Sequence, residues 1–337
     1  MKTTRKFAFA IIAASAAIAS GAARAQNQVM QNQVMEAIIF PGASATPIYV
    51  AQEKGFFARE GLEVRTTPTP NSGFQMGNLI DGKFQVASTA VDNLIAYQEG
   101  QGSAKTERTP DLIVIMGGAS TSLALMALPS IKNLNDLKGK EFALDSLTTG
   151  YAFVLRRMLE SNGFGPKDYT FVRVGGTRER FEALKAGTKS AGLISEPFTT
   201  QAKEAGFTFV GDAIQSVGRY QATVQIANRD WAKANEKATV GYIRAMISAI
   251  DWIYDPANNQ EAARILAAKV KIPEAAAQPG INGLTKGPAA LAPKGALDIE
   301  GLKTVISLRE QYATPQKKMS APEKYYDLSY YNKAIGK

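Results

Sequence analysis

The sequence predicts an α/β protein of two similar lobes, each a mainly parallel sheet flanked by helices, with the chain crossing between them twice. Three observations carry that prediction. Strand and helix patterns alternate from Glu36 onward, the order that a parallel sheet with helical crossovers requires. A unit of helix, glycine, strand and polar loop occurs twice: Leu79 matches Leu184, Gly82 matches Gly187 and Ala87 matches Gly192, a constant offset of 105 residues. Two stretches, near 122–128 and 220–227, are placed to carry the chain from one lobe to the other.

In chain order, the first 25 residues form a class of their own. "MKTTRKFAFAIIAASAAIASGAARA" opens with Lys2, Arg5 and Lys6, continues as an apolar run from Phe7 to Ile18 and ends in Ala23-Arg24-Ala25. That is the layout of a secretory signal peptide cleaved after Ala25, with an apolar run too short to span a bilayer. The repeated "QNQVM" that follows predicts a flexible polar extension over 26–35. Next come the strand "EAIIF", the turn "PGASATP", a helix started by Pro47 and ended by Gly55, and the strand "GLEVRTT". Helices ending at Gly82 and Gly187 each lead into a strand, at 84–87 and 190–194. "ATVGYIRAMISAIDWIYD", "NNQEAARILAAKV" and "DIEGLKTVISLREQYA" carry apolar residues at helical spacing and would complete the first lobe.

Composition excludes whole classes of chemistry. The 337 residues contain no histidine and no cysteine, which removes Ser-His-Asp and Cys-His nucleophilic sites, imidazole and thiolate metal sites, disulfides and a lipobox cysteine. The net charge of +9 falls to +5 once the four basic residues of the leader are removed. Lys and Arg are scattered along the chain, so nucleic acid is not expected as a partner. Export without a lipid anchor or a second apolar span predicts a soluble periplasmic protein.

In open α/β sheets, ligands bind beyond the carboxyl ends of the strands, where helix N-termini present unpaired N–H groups. Five strand-to-helix turns qualify, at 42–46, 89–93, 118–122, 146–150 and 175–177. They nominate Ser44, Thr46, Thr89, Asn93, Ser120, Ser122, Ser146, Thr149, Gly150, Gly176 and Thr177 as ligand-binding residues, with Tyr151 beside them. Each has a plainer reading, since Ser and Thr also cap helices and Gly also makes turns. Asp92 and Glu196 either bond an N–H group of a ligand or serve as a cap and an interlobe group; Asp145 would repel an anion. Arg178 either pairs with a ligand carboxylate or is a solvated helix charge. Among the aromatics, Tyr151, Tyr220 and Phe198 are placed nearest the cleft. Micromolar affinity requires about 8 kcal/mol, and three or four charge-assisted hydrogen bonds of roughly 1.5–3 kcal/mol reach it without metal or cofactor.

"PIYVAQEKGFFAREGLEV", "DLKGKEFALD", "VGGTRERFEALKAG", "LISEPF", "DWIYDPANNQEAARIL" and "EKYYDLSYYNKAI" occur in that order from about Glu36 to the C-terminus. Together they resemble periplasmic solute-binding proteins of the NitT/TauT type, the SsuA/THI5/NMT1-like components of ABC importers for nitrate, sulfonates, taurine and pyrimidine precursors. The resemblance implies a type II-like periplasmic binding protein fold, with lobe 1 at 36–124 and 223–337 and lobe 2 at 125–222. It implies a monomer, not an enzyme, that closes on a small organic solute and delivers it to the transmembrane subunits of an ABC permease. Two other functions stay open: pyrimidine synthesis on the same scaffold, whose chemistry in the family consumes a histidine that this chain lacks, and ligand-dependent signalling to a sensor.

Overall fold

The structure, a computed structural model, describes residues 32–120, 123–287 and 289–337. The predicted leader and the extension as far as residue 31 lie outside the described residues. In chain order the strands are β1 (Gln33–Ile39), β2 (Leu62–Pro68), β3 (Val86–Ala90), β4 (Leu112–Met116), β5 (Ala124–Ala127), β6 (Lys140–Leu144), β7 (Tyr169–Arg173), β8 (Ala191–Ile194), β9 (Thr208–Asp212) and β10 (Thr223–Asn228). They form two five-stranded sheets, ordered β2-β1-β3-β10-β4 and β7-β6-β8-β5-β9. The strand before the first turn begins at Gln33 rather than Glu36. Gln33–Met35 pair in parallel with Leu62–Val64, and Met35 is buried, so the second "QNQVM" ends inside the sheet.

The two sheets have one plan. In the first, β1 runs parallel to β2 and β3, while β10 lies antiparallel between β3 and β4. In the second, β6 runs parallel to β7 and β8, while β5 lies antiparallel between β8 and β9. The antiparallel strand of each sheet is the first one that the chain enters after leaving the other sheet, which is why each sheet is mixed. The 105-residue offset is carried by whole elements: the helix Ser72–Ile80 recurs as Thr177–Lys185, and β3, from Val86, recurs as β8, from Ala191. Gly82 (φ 82°) and Gly187 (φ 65°) stand just past the two helix ends in the left-handed region. There they let the final turns close, with Lys83 N–H reaching Asn78 O (2.9 Å) and Thr188 N–H reaching Ala183 O (3.1 Å).

Packing joins what the sequence divides. The helices Glu236–Tyr254, Asn259–Val270 and Glu274–Thr285 cover the outer face of the first sheet through Tyr242, Ile250, Leu266 and Ile281. The helix Ile299–Tyr312 instead packs on both Val91–Gln98 and Gly150–Ser161. Leu302, Val305 and Tyr312 therefore share one buried cluster with residues of both lobes. Among the described residues, no helix is long and apolar enough to cross a membrane.

Candidate ligand cleft

A cavity of about 140 Å3 lies between the lobes, comparable to the engineered cavity of about 150 Å3 that takes up benzene. Its walls come from strand ends, as the topology requires: Phe40–Ser44 beyond β1, Ser88–Ala90 at the end of β3, Asp145 beyond β6 and Ser195–Glu196 beyond β8. Gly280 brings the helix Glu274–Thr285 up to the site; a Cβ there would lie 3.1 Å from Ala43 Cβ and 3.4 Å from Glu196 Cβ.

Ten of the nominated residues meet at this cavity: Ser44, Thr89, Asn93, Ser120, Thr149, Gly150, Tyr151, Gly176, Thr177 and Glu196. Local bonds orient several of them. Asn93 Nδ2 donates to Thr89 Oγ1 (2.9 Å), four residues earlier near the end of β3. Ser120 Oγ donates to Tyr220 O (3.0 Å), and Thr177 Oγ1 accepts from Ser195 N–H (3.1 Å). Glu196 Oε2 accepts from both the N–H (3.2 Å) and the Oγ1 (2.9 Å) of Thr200. Burial raises its carboxyl above the ordinary value against those bonds.

Three nominated residues stand off the cavity, and Ser122 lies outside the described residues. Thr46 is fully buried and its Oγ1 donates to Ala43 O (2.7 Å), closing the turn beneath it. Ser146 is buried in its own loop, with Oγ 3.4 Å from Thr148 Oγ1. Asp92 is the largest departure. Its carboxylate takes a two-pronged contact from Arg309, Nε to Oδ1 at 2.7 Å and Nη2 to Oδ2 at 2.6 Å, with both side chains buried. Oδ2 also accepts the Gly150 N–H at 2.5 Å. The helix Gly150–Ser161 is thus capped by a carboxylate of the other lobe, not by its own N-cap residue Thr149, whose side chain makes no cap bond. That carboxylate answers the N–H expected to meet a ligand.

The lobes touch along the rim. Asp145, the group expected to repel an anion, accepts from Ser72 N–H through Oδ1 (3.1 Å) and Oδ2 (3.3 Å) at the start of a first-lobe helix. Gly176 N–H reaches Pro70 O (2.9 Å), and Ala43 N–H reaches Glu196 O (3.2 Å). Of the three nominated aromatics, Tyr151 reaches the cavity, where Phe40 also forms part of the wall. Tyr220 is buried behind Gly150, and Phe198 packs on Phe181 beneath Arg178. Arg178 itself donates to Val270 O (2.7 Å), away from the cavity.

Sequence reasoning missed Arg180, which lines the cavity. It is buried, and it donates from Nε to Leu193 O (2.7 Å) and from Nη1 to Gly175 O (2.9 Å). Burial lowers its pKa, while Asp145 acts in the opposite sense. The available signal was its spacing, four residues before Leu184 on the inward stripe of the helix. Among the described residues no group of three or more carboxylates gathers to hold a metal.

Residues 38–267 match the model of the NMT1-like family. The chain is 22% identical over 270 residues to the bicarbonate-binding protein CmpA of Synechococcus elongatus, covering 73% of this chain and 60% of that one. It is 28% identical over 241 residues to a 4-amino-5-hydroxymethyl-2-methylpyrimidine phosphate synthase of Uromyces fabae, covering 62% and 63%. The chain spans between about a third and two thirds of the length of the curated relatives it matches. In structure it superposes on the periplasmic nitrate-binding protein NrtA from Synechocystis PCC 6803 with a TM-score of 0.75 at 14% identity, covering 91% and 89%. The two-lobed fold is therefore that of the periplasmic binding proteins.

Proposed function

The chain belongs to the NMT1-like family, and from that membership and the cleft we propose that it is the solute-binding component of an ABC importer, which closes on a small organic solute and delivers it to a membrane permease. One observation carries the proposal: the cavity is walled by both lobes, so a solute inside it contacts both and binds the closed form more tightly than the open one. The bicarbonate- and nitrate-binding relatives support the reading. The leader and the absence of cysteine support a soluble, periplasmic protein without a lipid anchor.

Mass spectrometry of small molecules released by denaturing the freshly purified mature protein tests it, together with thermal unfolding against a panel of sulfonates, carboxylates, amines and pyrimidines. The expected result is a released solute or a raised unfolding temperature; neither appearing would sink the proposal. The Uromyces relative favours a second reading, pyrimidine synthesis. Formation of a pyrimidine product by the purified chain would establish that reading in place of the first. Uptake lost on deletion while signalling persists would separate transport from a sensor role.

A further inference from the structure

The charges at the cavity restrict what it accepts. Arg180, 5% exposed, spends Nε and Nη1 on two neutral backbone carbonyls. Among the described residues its Nη2 donates to none, and no carboxylate lies within ion-pair distance of the guanidinium. Glu196 faces the same space with Oε2 engaged by Thr200, and its Oε1 accepts from no described residue. Asp145, the third charged group, is already answered by Ser72 N–H. The cavity therefore presents one unanswered guanidinium nitrogen and one unanswered carboxylate oxygen on separate side chains.

We propose that the solute is a small organic acid that also carries an N–H donor, with its acid group held at Arg180 and its amine or amide N–H at Glu196. The proposal rests on the solute-binding reading above. A carboxylate or sulfonate matches the guanidinium fork, the strongest pairing available to a buried arginine. A bare inorganic anion would satisfy Arg180 but leave the free oxygen of Glu196 without a donor. A neutral solute would leave the guanidinium only the electrostatic influence of Asp145, with no acid oxygen on Nη2. Each mismatch costs the desolvation of a buried charged group, and that cost selects against the wrong ligand. Raised by burial, the Glu196 carboxyl is stabilised in its ionised form by an approaching N–H.

Equilibrium dialysis of the ligand-stripped mature protein against a defined equimolar mixture tests this. The mixture contains short-chain amino and N-acyl amino acids, the carboxylic and sulfonic acids that differ from them only in lacking the N–H, neutral amides, and nitrate, bicarbonate and sulfate; the bound fraction is identified by mass spectrometry. The expected result is enrichment of an acid that carries N–H, by about tenfold to a hundredfold over its partner without it, the worth of one charge-assisted hydrogen bond. Arg180→Lys lowers retention of every acid by about tenfold or more, and Glu196→Gln removes most of the preference for N–H. Enrichment of a bare anion, a neutral amide or an unsubstituted acid overturns the proposal and leaves the solute-binding reading standing; enrichment of nothing overturns both. Because Arg180 also ties down Leu193 and Gly175, urea unfolding accompanies each variant. Glu196→Gln, which retains an oxygen for Thr200, reports recognition even where Arg180→Lys fails to fold; unchanged retention and selectivity in Glu196→Gln overturns the assignment of that pole.

Discussion

Asp92 shows how much one carboxylate can hold together. It comes from the first lobe, is gripped by Arg309 from the C-terminal part of the chain, and accepts the first N–H of a second-lobe helix. Removing one partner of a buried pair leaves the other charged and uncompensated, so Asp92→Asn is expected to lower stability by about 3–5 kcal/mol. The measurement is the shift of the urea midpoint, and a change under about 1 kcal/mol would contradict the assignment. Gly150 stands against the same carboxylate: a Cβ there would fall 2.7 Å from both Asp92 Cβ and Tyr220 Oη. Gly150→Ala should therefore cost about 1–3 kcal/mol by overpacking, seen in the same titration. Asp92 was legible in the sequence as a residue that mattered, but its role was not, because Arg309 lies 217 positions away on an otherwise ordinary amphipathic helix. Arg180 went unread for a related reason: in "TRERFEALK" two arginines stand two places apart, and only the spacing to Leu184 distinguishes the one that turns inward.

At the level of elements, the repeated unit was readable because its punctuation is chemical. Gly187 has open space where a Cβ would go, so Gly187→Ala tests the backbone alone; the left-handed conformation predicts a loss of about 1–2 kcal/mol in thermal or urea unfolding. Four of the five strand-to-helix turns were readable for a related reason, small or hydroxyl residues following a strand; the fifth, 118–122, leads from β4 straight into β5 and is a crossing between the sheets, not the start of a helix. The mixed character of the sheets was not, because β5 and β10 carry no mark of direction in their sequences. Ties between distant elements were equally hidden. Glu99, just past the helix Val91–Gln98, receives Lys324 and Lys317 at 2.8 Å each and the Tyr325 hydroxyl at 3.0 Å. Burial opposes its charge, but these bonds outweigh it and hold the carboxyl at about 2. With the folded value below the ordinary 4.5, this tie is at full strength above about pH 4.5 and is lost as pH falls toward 2. Glu99→Gln is expected to lower stability at neutral pH and to flatten the acid limb of the stability profile between those values; an unchanged limb would contradict it.

For the whole molecule, closure is the property that matters. Contacts such as Gly176 to Pro70, Ala43 to Glu196 and Asp145 to Ser72 join the lobes across the rim. Each is a hydrogen bond with a net worth of about 1 kcal/mol, somewhat more for the Asp145 carboxylate, which meets Ser72 N–H through both oxygens, so the rim holds the lobes more weakly than the buried Asp92–Arg309 pair does. Solution scattering is expected to show a smaller radius of gyration on adding the solute that the protein retains, and an unchanged profile at saturation would count against a clamshell. The overall two-lobed plan was visible from the alternation and the repeat. The shared core was not, since the helix Ile299–Tyr312 reads like any helix of the first lobe until it is seen lying on both.

The exchange of antiparallel strands also sets an order of assembly. The second sheet is drawn from one unbroken stretch, β5 to β9, whereas the first lacks its inner strand until β10 arrives, more than a hundred residues after β4. A chain emerging N-terminus first can therefore finish its middle before its beginning, with β1 to β4 waiting, unsealed, for the segment that follows.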